Sequence, residues 1–436
     1  MANKKKLQER DWRYDALHGY VNLFVKASYR NISYVGLERI PNDGAVIFAP
    51  NHSGALMDAM VVVAMNSGPT VFLARADIFK NPKLAKILTF FKMMPIMRMR
   101  DGIEEVKKNN RIMEIAADVL KDKVPLCMFP EGTHQTKYSM LPLSKGIFRI
   151  ALQAKELLGD TPLYIVPMGI RYGNFNRFRS SVRVQVGNPI NIGELIAQNS
   201  DKTPQEQMNV MRKCLEERMK ENILYIPNDQ EYNAKNEICA TVSGTLLGQQ
   251  RPGGNDPLIT ANQEAARRIE TLKAGNPALA DSLITLGNEA SRMRKKMQIS
   301  LASVAKMPTI TSMVLKLLVL LVTLPYTLLA TLFTLPLAGA SKALTDKFKD
   351  RAFHNSVRFV LLLLLWPLLM VIYSIIIISS MPIQWAICAI LAIAPAPAVA
   401  HDLYKGVRVL VSDFKLWRCK PLVAKYNEIR KLFFGK

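Results

Sequence analysis

The feature that most constrains this chain is the apolar run from Val357 to Ser380, VRFVLLLLLWPLLMVIYSIIIISS, with the stretch Met381 to Ala400 following almost at once. Segments of about 18 to 25 apolar residues are long enough to cross a hydrocarbon core. The C-terminal third, apolar from about Met313 onward, therefore belongs in a bilayer. A chain of 436 residues also exceeds one typical core, so a folded domain beside this apolar region is the natural expectation.

The charges between the apolar segments carry a topological reading. Pro325 and Pro336 interrupt Met313 to Ala340. The loop that follows holds Lys342, Lys347, Lys349, Arg351 and Arg358, and the tail after His401 holds Lys405, Arg408, Lys415, Arg418 and Lys420. Cytoplasmic loops favour Lys and Arg. Both basic stretches are thus expected on one face, which makes 313–340 a broken, re-entrant hairpin; the competing reading, since the segment is also long enough to cross once, is three simple spans. Val357 to Ser380 and Ile383 to Ala400 then form a spanning hairpin turned at Met381 and Pro382. The N-terminus, MANKKKLQERDW, lacks the apolar stretch and cleavage site of a secretory signal, so the first three hundred residues are expected in the cytoplasm.

A net charge of +23 calls for an anionic partner. The basic residues are dispersed, with no zinc-finger, RNP-type or basic-zipper pattern, so no nucleic acid is expected. Membrane lipids of an anionic leaflet and a phosphorylated substrate suit the charge better. Cys127, Cys214, Cys239, Cys388 and Cys419 have no paired spacing and fit neither a disulfide framework nor a zinc site.

Ahead of the apolar region the pattern alternates. Leu17 to Ile32 reads as an amphipathic helix. Short buried-strand patterns follow at 45–49, 70–73, 126–129, 163–170 and 182–186, and helical ones at 57–65, 103–120, 145–158 and 204–222. Strands alternating with helices predict an α/β fold, a largely parallel sheet flanked by helices. Beyond Ile226 the character changes: Asn228 to Pro257 has few long apolar runs and includes RPGGNDP, and Asn262 to Ser300 has the composition of exposed helices. The expected organisation is an N-terminal amphipathic segment (1–33), a folded α/β domain (34–227), a helical connector (228–312), a membrane region (313–400) and a basic cytoplasmic tail (401–436).

Two constellations sit where strands end. The first is Pro50-Asn51-His52-Ser53-Gly54-Ala55-Leu56-Met57-Asp58, entering a helix directly after AVIFA. Side chains at the carboxyl ends of parallel strands line the crevice in which α/β proteins bind ligands. A histidine there takes a proton near neutral pH, and a carboxylate fixes its tautomer. The second is Leu126-Cys127-Met128-Phe129-Pro130-Glu131-Gly132-Thr133-His134, followed by Leu141-Pro142-Leu143-Ser144-Lys145-Gly146. A carboxylate at a glycine turn, among backbone N–H groups and a hydroxyl, is suited to orienting a polyol phosphate. No G-x-S-x-G elbow, G-x-G-x-x-G or P-loop pattern competes with this reading.

NHSGALMD, MPIMRMRDG, FPEGTH and YIVPMGIRYG stand in the order of four blocks of the glycerolipid acyltransferase superfamily, and over about Tyr34 to Asn191 the chain resembles that superfamily. The family includes lysophosphatidate and glycerol-3-phosphate acyltransferases. The resemblance implies that 34–227 is an acyltransferase catalytic domain with His52 as base and Asp58 as its partner. It implies Arg98 as a phosphate contact, Glu131, Gly132 and Thr133 in the acceptor block, and Pro167 shaping the acyl side. Arg100 and Lys145 join the substrate-binding set by charge and position. Acyl-CoA or acyl carrier protein serves as co-substrate, a glycerol phosphate as acceptor, and neither cofactor nor metal is implied.

Two departures stand out. Five residues separate His52 from Asp58 where the family has four, and His134 stands where an arginine is common. Gly54, being conformationally permissive, is the expected place for the extra residue. The longer gap resembles the fungal type of glycerol-3-phosphate and dihydroxyacetone-phosphate acyltransferases, and tilts the acceptor toward an unacylated glycerol phosphate.

Overall fold

The computed structural model describes residues 6–9, 11–97, 109–249 and 255–435. It consists of two units, Met1–Ile223 with Arg351–Ser356, and Leu224–Asp350 with Val357–Lys436.

The first unit is built on an eight-stranded sheet. Its strands are β1 (Tyr29–Val35), β2 (Ala45–Pro50), β3 (Val71–Arg75), β4 (Met93–Ile96), β5 (Leu126–Cys127), β6 (Leu163–Tyr172), β7 (Ser180–Val186) and β8 (Ile190–Asn191). They lie in the order β1-β7-β6-β2-β5-β3-β4, with β8 on β6. The pairs β1/β7, β2/β6, β2/β5, β3/β5 and β3/β4 are parallel. The sheet is therefore largely parallel, as the alternating pattern predicts. The exceptions are β6/β7 and β6/β8, which are antiparallel, because the connections from β6 to these strands are too short for a crossover helix.

All six residues of β2 are buried. Ala45, Ile47 and Ala49 enter a core shared with Leu120, Ile147, Ala151 and Leu215. Val46 and Phe48, on alternate positions, face the other side, which is why the strand reads as a continuous apolar run. The helices of this unit are α1 (Trp12–Ser28), α2 (Leu56–Met65), α3 (Pro82–Phe90), α4 (Asn109–Lys121), α5 (Gly146–Leu158), α6 (Ile192–Ala197) and α7 (Pro204–Lys220).

The N-terminal helix does not run to Ile32. It ends at Ser28, whose hydroxyl donates to the Phe24 carbonyl, and Tyr29 is already extended at φ −121°. From there Tyr29, Ile32, Tyr34 and Val35 favour extended backbone and the segment pairs with β7, so strand propensity beside a sheet edge overrides the helical period. β4 also escapes the sequence reading. It is an edge strand, where Pro95 is tolerated.

The second unit holds α8 (Tyr232–Gly248), α9 (Pro257–Gly275), α10 (Pro277–Lys296) and α11 (Leu301–Lys306), and α9 and α10 are not the exposed helices that the composition of 262–300 suggests. Ile238, Val242, Ile259, Ile269 and Leu283 are all buried. The basic tail is likewise no free tail. Lys420–Phe434 is a helix that buries Leu422, Tyr426, Ile429 and Phe433, an apolar stripe at helical spacing. It packs on α8 and α10. The buried Glu237 there accepts from Arg294 Nε at 2.7 Å and from the Tyr426 hydroxyl at 2.7 Å, which compensates its burial.

Among the described residues, two helices are long and apolar enough to cross a membrane, α12 (Ile310–Thr345) and α13 (Ala352–Ser380). The break expected at Pro325 and Pro336 is absent, since α12 stays helical through both. Each proline removes one N–H, and an apolar surrounding offers the freed carbonyl no competing water, so helical backbone persists. A turn does occur at Met381 and Pro382. The returning arm is α14 (Ile383–Ile393) and α15 (Ala396–Arg418), bent by 47° between them, and it runs past Ala400. α12 packs along α15. Gly406 permits this approach, as a Cβ there would stand 2.9 Å from Leu320 Cδ2.

Candidate active site

The chain leaves β2 at Pro50 and enters α2 at Leu56, and the intervening loop is fastened at both ends. Asn51 clamps it to the neighbouring strand: its Oδ1 accepts from Ile170 N at 2.6 Å and its Nδ2 donates to Ile170 O at 3.2 Å. At the other end stands Asp58, in the first turn of α2 and fully buried. A buried carboxylate needs donors, and Asp58 has them. Oδ2 accepts from His52 Nδ1 at 2.7 Å, Ser53 N at 2.8 Å and Gly54 N at 2.7 Å. Oδ1 accepts from the Tyr172 hydroxyl at 2.6 Å.

These bonds assign the histidine's chemistry. A carboxylate acceptor on Nδ1 fixes the proton there and leaves the lone pair on Nε2. The ring stacks on Phe129 with centroids 4.3 Å apart. His134 meets it edge-on at 5.5 Å and in turn meets Phe353 at 5.1 Å.

The positive φ of this loop falls at Ala55, not at Gly54. Ala55 has φ +52° and ψ −126°, a conformation that a side chain disfavours. Gly54 serves a different need, because a Cβ there would lie 2.8 Å from Asp58 Oδ1 and 2.9 Å from the Tyr172 ring. Glycine is required so that the loop can approach the carboxylate and its tyrosine.

The Glu131 carboxylate is buried, with Oε1 accepting from His52 N at 2.9 Å and Oε2 from Leu141 N at 2.8 Å. It fastens the histidine's backbone to the loop ahead of α5. Burial pushes its pKa up to about 7, opposed by the two backbone N–H groups. Gly132 adopts φ +66° and donates its N–H to Phe129 O, closing the turn that carries Thr133 and His134.

A cavity of about 670 Å³ opens beside the dyad at the carboxyl ends of β2, β3, β4 and β5, a size suited to a small-molecule or acyl ligand. His52, Gly132, Thr133 and Lys145 line it. Its walls are largely apolar and rich in methionine, with Met93, Met97, Met113 and Met128, while Arg75, Lys145 and Arg149 supply cations and His134 and Ser144 further polar groups. Pro167 does not line it. It lies buried in β6 opposite Ala49, a part of the sheet. Arg98 and Arg100 fall outside the described residues, directly after Met97 of the cavity wall.

An acyltransferase family model matches residues 31–171, which contain both loops and the dyad. Residues 31–171 are thus similar to acyltransferase domains. Among similar relatives, a 1-acyl-sn-glycerol-3-phosphate acyltransferase of Cocos nucifera is 28% identical over 165 residues, 37% of this chain and 49% of that protein. Glycerol-3-phosphate O-acyltransferase 1 of Saccharomyces cerevisiae is 38% identical over 71 residues, 16% of this chain and 9% of that protein. The chain thus spans half or less of the length of these curated relatives. Among solved structures, the 1-acyl-sn-glycerophosphate acyltransferase of Thermotoga maritima is similar at 20% identity and a TM-score of 0.34, covering 49% of this chain and 82% of that one.

Sequence reasoning about the acyltransferase domain missed Tyr172, Phe129 and Asn51. Tyr172 stands within the quoted YIVPMGIRYG, but nothing local pairs it with a carboxylate 114 positions earlier. It is fully buried, and burial pushes its phenol far up, so it remains a donor to Asp58.

Two outcomes test these contacts. Tyr172→Phe leaves Asp58 Oδ1 without its donor, and kcat should fall about tenfold while both substrate KM values change by less than about twofold; steady-state kinetics with an unchanged kcat would remove Tyr172 from the site. Between pH 4.5 and about 7 the folded protein keeps a Glu131 proton that the unfolded chain has released. Stability from this group is therefore greatest at low pH and is lost as pH rises through about 7. Glu131→Gln should be less stable at low pH, because an amide cannot accept both N–H groups, and should lack this decline when unfolding is followed across that range.

Proposed function

We propose that this protein is a membrane-bound acyltransferase that moves a fatty acyl group from an acyl thioester to a hydroxyl of glycerol 3-phosphate or 1-acylglycerol 3-phosphate. One observation carries the reading: a histidine held by a buried carboxylate faces a largely apolar cavity with cations at its edge.

His52 Nε2 takes the proton of the acceptor hydroxyl as its oxygen attacks the thioester carbonyl carbon. The tetrahedral intermediate collapses, the C–S bond breaks, and the imidazolium returns the proton to the leaving thiolate. Asp58 stabilises the imidazolium between these steps. Holding both reactants in one crevice supplies much of the rate through orientation. The apolar, methionine-lined wall suits an acyl chain, since methionine adapts to irregular shapes. Lys145 and Arg149, with Arg98 by the family resemblance and Arg100 by charge and position, suit the anionic groups of acceptor and donor. The donor is acyl-CoA or acyl carrier protein, and the five-residue spacing favours an unacylated glycerol phosphate as acceptor.

His52→Ala should reduce transfer by about a thousandfold or more without loss of folding. Purified wild type and variant, given labelled acyl-CoA or acyl carrier protein with a panel of glycerol phosphates and lysolipids, would check both claims. Near wild-type transfer by the variant overturns the base assignment, and no transfer by wild type to any glycerol phosphate overturns the acceptor class.

We also propose that the catalytic domain faces the cytoplasm, on the strength of Lys347, Lys349 and Arg351, which follow α12 and lead into Arg351–Ser356, a stretch of the same unit as the dyad. Cysteine introduced at Lys347, in a chain without native cysteines, should react with an impermeant reagent from the cytoplasmic side alone. Reaction only from the outside would reverse the orientation.

A further inference from the structure

Helix α3 differs from its neighbours in the catalytic unit: none of its nine residues is buried. Leu84, Ile87 and Phe90, with Phe91 just beyond, are 42%, 53%, 37% and 37% exposed. Their spacing puts them on one stripe of the helix. Lys80, Lys83 and Lys86 are exposed beside it. The one acid between Ala76 and Met97 is Asp77, paired with Arg75. A contiguous apolar stripe of this kind on a folded domain marks an interaction site.

The position of α3 adds to this. It is an excursion between two stretches that both line the active-site cavity, Phe72 to Ile78 before it and Met93 to Met97 after it. Its Phe90 meets Tyr14 of α1 edge-on at 6.5 Å. α1 contributes further exposed apolar groups, Trp12 at 75% and Leu23 at 64%, together with exposed Arg13 and Lys26.

An apolar stripe edged by cations is the pattern of a helix that lies in a lipid interface and draws on anionic headgroups. Two other helices of the chain have the length and composition to cross a bilayer, which supplies that surface. We propose that Pro82 to Phe91 lies in the interfacial layer of an anionic membrane, so that the cavity it borders opens toward lipid. An acyl chain or lipid product then exchanges with the bilayer without passing through water. The use of the cavity rests on the acyltransferase reading; the docking of α3 does not.

The test uses the full chain in nanodiscs of phosphatidylcholine, with and without phosphatidylglycerol. A nitroxide at Ile87→Cys, in a background whose native cysteines are replaced by serine, is read for collisions with oxygen and with a water-soluble nickel chelate. The oxygen-to-nickel ratio should be severalfold higher at position 87 than at Glu156→Cys, an exposed site on α5. It should rise with phosphatidylglycerol, and Lys83→Glu with Lys86→Glu should abolish that rise. Free access of nickel at position 87 in both lipids would overturn the proposal. So would a label shielded from both reagents in detergent as well as in discs, which would mean that protein covers the stripe. If the serine background fails to fold, a photo-crosslinking residue at Ile87 in the native chain gives the same reading: lipid adducts support the docking, and protein adducts or none overturn it. Neither readout uses activity, so inactive protein and absent docking are separate results.

Discussion

The site depends on the satisfaction of one buried charge. Asp58 has no exposure to water, and an uncompensated carboxylate in that position would protonate or disrupt the fold. Its donors come from the loop itself, from the histidine it orients and from Tyr172 at the far end of β6. The carboxylate therefore does two jobs with the same atoms. It fixes the tautomer of His52, and it holds the loop in a shape that requires a glycine at 54 and an unfavourable backbone at Ala55. The strain at Ala55 is retained because the surrounding bonds over-determine the turn.

Glu131 plays the corresponding part from the other loop. Its two oxygens join the backbone of His52 to that of Leu141, so the loops after β2 and β5 are tied to one another. A buried acid with both oxygens committed to backbone N–H groups is a brace. The site combines a side-chain constraint through Asp58 with a main-chain constraint through Glu131. Rigid placement of a base is what a reaction between two bound substrates requires.

What was legible in the sequence follows from distance along the chain. His52 and Asp58 are close in sequence and flanked by a strand and a helix with plain patterns, so both the dyad and the parallel sheet could be read directly. Tyr172 could not, because its partner is fixed by the placement of β6 beside β2, which no local pattern specifies. The bracing contacts of Glu131 were hidden for a related reason: a carboxylate beside a glycine looks the same whether its oxygens face a ligand or a neighbouring loop. Pro167 was assigned to the ligand side although its register opposite Ala49 places it within the sheet. In the second unit, charge-rich composition concealed the buried faces of α9 and α10, and the two prolines of α12 suggested a break that the helix does not make.

Phe353 has a consequence for the modularity of the chain. It belongs with the first unit and forms part of the cavity wall against His134, yet it is encoded some 130 residues after that unit's last β-α element, at the start of an apolar helix. The active-site chamber is thus discontinuous in the gene: a fragment ending at Ile223 would contain the whole sheet, the dyad and its braces, and still lack a wall. Exchange or loss of the apolar region between related proteins would remodel the chamber as well as the anchor, so the two parts are bound to change together.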